Sequence, residues 1–238
     1  MEAVVHKANT RGKVDFGWLK SNHTFSFGNY MNPERIRFAS LRVLNDDIVA
    51  PGRGFDPHPH QDMEIISIPL KGALEHKDSI GTAGVIRSGE VQVMSAGTGI
   101  VHSEYNHSKT EPVNFLQIWV LPDRRGAEPR YDQKQFSVEE RRNKFQVVVS
   151  PKDSTEGLWI NQNAWFSMGN LEAGVEVSYQ PKNEERGGVY AFLISGKVNI
   201  NDTELSARDG AGFPATELLK VKALEESELL LMDVPEIV

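Results

Sequence analysis

Two histidines separated by a single residue, His58 and His60, and a second pair of the same spacing, His102 and Glu104, are the residues of this 238-residue chain best suited to chemistry. They lie in Gly52-Arg-Gly-Phe-Asp-Pro-His58-Pro-His60-Gln-Asp-Met-Glu64 and Ser95-Ala-Gly-Thr-Gly-Ile-Val-His102-Ser-Glu104-Tyr-Asn106. On a β-strand, residues two apart project to one face, so each pair could converge, and two such strands could surround one ion. Imidazole nitrogens bind such an ion at about 2.0–2.1 Å. Pro59 cannot donate to a sheet ladder, which places the first pair at an edge or a strand entrance, where a pocket would open. The glycines ahead of His102 allow a sharp bend into the site. All seven histidines, at positions 6, 23, 58, 60, 76, 102 and 107, fall in the first 107 residues. His23, His76 and His107 read as structural, hydrogen-bonding turns, and His6 receives no role. The fourth ligand is open at this level: Glu64 and Glu104 both lie an even number of residues from a ligand histidine, so parity does not choose between them.

Composition narrows the chemistry. There is no cysteine, so any metal site is built from nitrogen and oxygen donors. Twenty-six basic against 33 acidic residues give a net charge of −7, the wrong sign for direct contact with a phosphate backbone. No run approaches the ~18 apolar residues of a membrane helix, and the first residues hold no signal-type apolar stretch. A cytoplasmic protein is expected.

The elements that must position these residues are strands. Short apolar stretches cut by Gly, Pro, Asn and Asp predict a mainly-β, all-β architecture with a few short helices. Strands are expected over Phe38 to Val43, Glu64 to Leu70, Val91 to Ser95, Val113 to Leu121, Gln146 to Ser150, Val189 to Ser195, Lys197 to Ile200 and Glu228 to Val234. The charged stretch from Pro122 to Lys144 reads as a connector, and Ser137-Val-Glu-Glu within it has the form of a helix N-terminus. An internal repeat supports a division there. Ile65-Ile-Ser-Ile-Pro-Leu-Lys-Gly72 aligns with Val189-Tyr-Ala-Phe-Leu-Ile-Ser-Gly196 at an offset of 124, and each is followed by a further glycine turn. Domains are expected over residues 1–136, carrying the metal, and 137–238.

Gly52-x5-His58-x-His60-x3-Glu64 with Gly72, then His102-x3-Asn106, resembles the two motifs of the cupins, small antiparallel β-barrels with a metal inside. More narrowly, Gly17-Trp-Leu-Lys-Ser-Asn-His-Thr-Phe-Ser-Phe-Gly28, Leu41-Arg-Val-Leu-Asn-Asp-Asp47, His58-Pro-His60, His76-Lys-Asp-Ser79 and Met94-Ser-Ala-Gly-Thr-Gly-Ile-Val-His-Ser-Glu104 resemble the pirin family. The resemblance implies two cupin-type β-barrels or sandwiches, with one metal per chain in the first barrel. It nominates Glu104, beside His58, His60 and His102, as the fourth ligand. The repeat offset sets Lys182 and Glu184 opposite His58 and His60, which leaves the second barrel without metal. The sequence departs from the cupin pattern at Gly97, where a proline is usual.

The activity this resemblance implies is that of a quercetin 2,3-dioxygenase. Such an enzyme takes a flavonol and O₂, cleaves the central ring and releases carbon monoxide, and Glu104 would be the base that receives the substrate hydroxyl proton. Fe(II) is the first expectation for the ion. Nickel, cobalt, manganese and copper suit the same donors, and zinc suits them less. The resemblance equally implies a second reading, a regulatory module that alters a protein partner without turnover. A sugar isomerase is a third and weaker one, because no phosphate cradle is visible. Phe25, Phe27, Phe55, Phe115 and Trp119 are candidates for an aromatic cavity wall or for ordinary core.

Overall fold

The computed structural model describes residues 2–183, 187–214 and 218–237. The chain is 59% strand and 3% helical, and its sheets form two cupin-like domains, as expected from its short apolar stretches. Among the described residues the only helical elements are 3-10 turns at Ala8–Thr10 and Val138–Arg141. Ser137 caps the second, its hydroxyl accepting from the Glu139 amide at 3.3 Å.

The two halves repeat one sheet order. In the first, a seven-stranded sheet runs Arg130–Gln135, Glu90–Ser95, Glu64–Lys71, Val113–Val120, Leu41–Val49, Leu19–His23, Gly12–Asp15. Facing it is a four-stranded sheet of Gly54–His60, Ile100–Asn106, Ala73–Asp78 and Ala83–Arg87. In the second half the orders are Val4–His6, Gly210–Pro214, Gly187–Ser195, Ser227–Pro235, Trp165–Leu171, Phe145–Pro151, Leu158–Ile160, and Glu176–Tyr179, Leu219–Ala223, Lys197–Ile200, Thr203–Ser206. The repeated segments occupy the same place, third in each large sheet. Each leaves its strand through a left-handed glycine, Gly72 at φ 82° and Gly196 at φ 84°.

Two of the sequence expectations change. The Phe38 to Val43 strand begins at Leu41 and extends to Val49, because Ala39 takes a positive φ and Phe38 pairs back onto Leu41 as an isolated bridge. The connector also contains a strand, Arg130–Gln135, on the edge of the first large sheet against Glu90–Ser95. It carries no apolar alternation because only part of its surface is covered. We place the domain division after Phe136, with one exchange across it: Val4–His6 pairs with Gly210–Pro214 and completes the second large sheet.

The two large sheets pack face to face. Leu44, Ile66, Ile68, Leu116 and Ile118 from one meet Phe166, Phe192, Leu230 and Met232 from the other in a single buried cluster. This burial, at about 25 cal/mol per Å² of apolar area, welds the halves together. The barrel interiors differ sharply. The second is largely apolar, from Val189, Leu193 and Val198 to Leu219, Val221 and Leu231, with Ser167 and Asp233 buried in register with Leu231 and Val189. The first holds apolar clusters at its two ends, Leu19, Val49, Leu74 and Phe115 at one and Ile65, Met94 and Ile100 at the other. Between them a register-paired row of polar residues, His23, Asn45, Gln117, Ser67 and Gln92, crosses the sheet. A polar belt inside a barrel needs partners: Ser67 and Gln117 reach Glu104, whereas His23 Nδ1, Asn45 Oδ1 and the Gln92 amide have none among the described residues.

Candidate metal centre

His58 and His60 sit on Gly54–His60, the edge strand of the small sheet, and His102 lies on its neighbour Ile100–Asn106. The antiparallel register sets His102 opposite His58 and Ile100 opposite His60. Pro57 and Pro59 leave the free edge short of ladder donors, as an edge strand tolerates. The turn after His60 is tied to the turn before His102: the Asp62 amide donates to the Gly97 carbonyl at 2.9 Å, and the Ala96 amide donates to the Met63 carbonyl at 2.8 Å. Gly97 is required there. Its φ is 47°, and a Cβ would meet the Ala127 carbonyl oxygen at 1.9 Å.

This brings the three imidazoles together. One ring nitrogen of each lies within 4.8 Å of the others, and ring centroids are 4.5 to 4.9 Å apart. His102 is 1% exposed, and its Nε2 is buried with no hydrogen-bond partner. A buried ring nitrogen without a partner is what a metal ligand looks like before its ion is added. The protonation states agree. Burial, then the nearby His58 ring, lowers the His60 pKa to about 4, and burial with the His58, His60 and His76 rings lowers that of His102 to about 2. Both therefore offer lone pairs at neutral pH. His58 turns Nδ1 to the Asp56 carbonyl at 2.8 Å, which leaves its Nε2 bare. Three converging imidazoles thus fit a divalent transition ion well.

The two carboxylates compared from the sequence occupy different places. Glu64 is buried and accepts from the Ser95 hydroxyl at 2.6 Å and from the Asn161 side chain at 3.0 Å, so it joins the two halves of the chain. Glu104 follows a register shift between His102 and itself and is 2% exposed. Its oxygens accept from Gln117 Nε2 at 2.7 Å and from the Ser67 hydroxyl at 3.2 Å, on the polar belt. Burial pushes its carboxyl up to about 7 against these two hydrogen bonds. The cluster of ligand atoms within 4.8 Å comprises the three histidines, without Glu104.

The remaining histidines separate. His107 is exposed beside Glu75 at 3.2 Å, and His23 is buried against Phe27. His6 is buried between the halves, its Nδ1 2.8 Å from the Tyr190 hydroxyl. His76 is fully buried, with Nε2 2.9 Å from Asp78 Oδ2 and Nδ1 3.5 Å from Nδ1 of His102. The signal for it was a third His-x-acid spacing, His76-x-Asp78, on a strand neighbouring that of His102. Of the aromatic candidates, Trp119 packs edge-on to His60 at 5.0 Å and Phe27 edge-on to Trp119 at 5.3 Å. Phe55 packs on Trp18, while Phe25 and Phe115 are core.

In the second barrel the strand equivalent to Ile100–Asn106 is Leu219–Ala223, with Leu219, Val221 and Ala223 turned inward. Lys182 packs its ammonium over Trp165 and pairs with Glu156 at 2.9 Å, while Glu184 lies outside the described residues. Among the described residues no other cluster of metal-type ligands occurs, and no helix is long and apolar enough to cross a membrane.

Comparison with known proteins agrees with this geometry. Residues 4–120 match the pirin family model, and residues 147–234 match the model of the quercetinase C-terminal cupin domain. A quercetin 2,3-dioxygenase of Escherichia coli is 40% identical over 98% of this chain and 99% of its own. A pirin-like protein of Caulobacter vibrioides is 41% identical over 93% and 95% of the respective chains. The crystal structure of a bacterial pirin of Escherichia coli in complex with nickel(II) superposes with a TM-score of 0.92 at 40% identity, covering 99% of this chain and 100% of the other. With both barrels matched and the relatives covered from end to end, the chain belongs to the pirin family.

Proposed function

We propose that the chain is a metal-dependent quercetin 2,3-dioxygenase of the cytoplasm, opening the central ring of a flavonol with O₂ and releasing carbon monoxide. The observation that carries this reading is the partnerless, buried Nε2 of His102 in a cluster with His58 and His60 whose ligand nitrogens lie within 4.8 Å of one another. The names of the relatives and the nickel(II) complex of one of them support it.

His58, His60 and His102 would hold the ion, with Glu104 as the fourth ligand. When bound, a divalent ion supplies Lewis acidity that lowers the pKa of a coordinated hydroxyl. Glu104 receives the proton of the flavonol 3-hydroxyl, a task suited to a carboxyl held near 7. Ser67 and Gln117 hold its two oxygens in place. Trp119 and Phe27, in line with His60, offer flat apolar faces to a planar substrate and exclude water. Iron(II) is the ion favoured by donor type, and nickel(II), found in the relative, is the first alternative.

The test is aerobic turnover of quercetin by protein loaded separately with Fe(II), Ni(II), Co(II), Mn(II) and Cu(II), following the flavonol absorption band and carbon monoxide. Loss of the band with carbon monoxide release is expected for at least one ion. Absence of both with all five would overturn the enzyme reading.

A further inference from the structure

His102 is the innermost of the three histidines, and its second ring nitrogen faces no carbonyl or carboxylate. It faces His76 instead. His76 Nδ1 lies 3.5 Å from His102 Nδ1, and His76 Nε2 lies 2.9 Å from Asp78 Oδ2, with both side chains of the His76–Asp78 pair fully buried. The other Asp78 oxygen is occupied. Oδ1 accepts from the backbone amides of Ile80 at 3.0 Å and Thr82 at 2.9 Å, across the turn that joins Ala73–Asp78 to Ala83–Arg87. Tyr131, from the strand in the connector, stacks on the His76 ring at 4.6 Å.

These contacts have a direction. A carboxylate only accepts, so the proton on His76 toward Asp78 sits on Nε2. A second proton on His76 would place a buried cation beside a metal centre, so its Nδ1 is the bare, accepting nitrogen. His102 then carries its proton on Nδ1, pointing at His76, and its Nε2 is left bare where no protein group meets it. We propose that Asp78 and His76 are positioning residues that fix the tautomer and ring orientation of His102 for metal binding. The inference rests on reading the three histidines as a metal centre, but not on any particular reaction there. Ligand histidines commonly send their second nitrogen to a carboxylate or carbonyl, and here an imidazole stands between the ligand and its carboxylate.

Asp78→Asn tests the direction. The two turn amides require an oxygen at the Oδ1 position, so the asparagine must turn its amide NH₂ toward His76 Nε2. That nitrogen becomes the acceptor, His76 carries its proton on Nδ1, and His102 is pushed to the Nε2–H tautomer that cannot bind an ion. Ni(II) titrated into apoprotein should bind about 10- to 100-fold more weakly to Asp78→Asn, with an unchanged far-ultraviolet spectrum. His76→Leu should lose a similar factor, and His76→Gln, which restores an acceptor oxygen, should recover most of it. The ¹⁵N shifts of the wild-type apoprotein should report His102 as the Nδ1–H tautomer and His76 as the Nε2–H tautomer. Folded Asp78→Asn with wild-type Ni(II) affinity, equal losses in the Gln and Leu variants, or the opposite tautomers in the wild type would each overturn the proposal. Failure of quercetin turnover with this pattern intact would remove the dioxygenase reading and leave the relay standing.

Discussion

His102 is where sequence and chemistry meet most directly, because its buried Nε2 has no hydrogen-bond partner in the protein. His102→Ala should abolish stoichiometric Ni(II) or Fe(II) binding, measured by elemental analysis after gel filtration, and full retention would refute the site. The carboxylates separate by the same assay. Glu104→Gln should lower metal occupancy, whereas Glu64→Gln should spare it and lower thermal stability by about 1–3 kcal/mol through the link to Ser95 and Asn161. The histidines are legible in the sequence because ligand type and the two-residue spacing coincide. Ser67, Gln117 and Asn161 are not, since amides and hydroxyls have no spacing signature and their meaning comes only from strands brought together across 13 to 97 residues. His76 and Asp78 were legible as a spacing, but only the pairing with Ile100–Asn106 shows that they touch a ligand.

Turns set the elements in place. The Gly97 and Asp62 turns hold the two ligand strands, and Gly97→Ala must both adopt φ 47° and push away the Ala127 carbonyl. It should cost clearly more than Gly126→Ala, which at φ 67° meets nothing within 4 Å and should cost about 1 kcal/mol. Urea midpoints of the two variants, with Ni(II) affinity alongside, check this; equal losses would show that the close approach at Gly97 is relieved elsewhere. Strands with a clear apolar signal, alternating in Lys197–Ile200 and nearly continuous in Val113–Val120, sit where the pattern predicts. Arg130–Gln135 escapes the pattern because an edge strand is held by backbone ladder bonds, which no side-chain periodicity announces.

At the scale of the whole molecule, the two large sheets share one core, so damage in one half should be felt in both. Leu116→Ala, at a fully buried position between the sheets, should destabilise by about 2–5 kcal/mol and shift a single calorimetric transition without splitting it. The second barrel carries a separate pH signature. Burial raises the Asp233 carboxyl to about 6 despite hydrogen bonds from the Lys182 and Asn183 amides. An acid that holds its proton more tightly when folded contributes stability below its unfolded value of 3.8, and this is lost as pH rises through about 6. Asp233→Asn should therefore flatten the stability profile between pH 4 and 6 and gain roughly 1–3 kcal/mol at pH 8, read from melting temperatures. The duplication was legible from its matched glycine-ended strands, but the contrast between a polar and a largely apolar barrel interior was not, because it depends on which face each strand turns inward.

The pairing of Val4–His6 with Gly210–Pro214 orders events during synthesis. Val4–His6 must wait for a partner about two hundred residues later in the chain, and contacts of such separation close slowly. Until then the first barrel can form and enclose its histidines, while its outer face, from Leu44 to Ile118, stays bare to solvent. Enclosure of the three histidines can thus precede completion of the fold, and the second large sheet gains its outer strand only when Val4–His6 meets Gly210–Pro214.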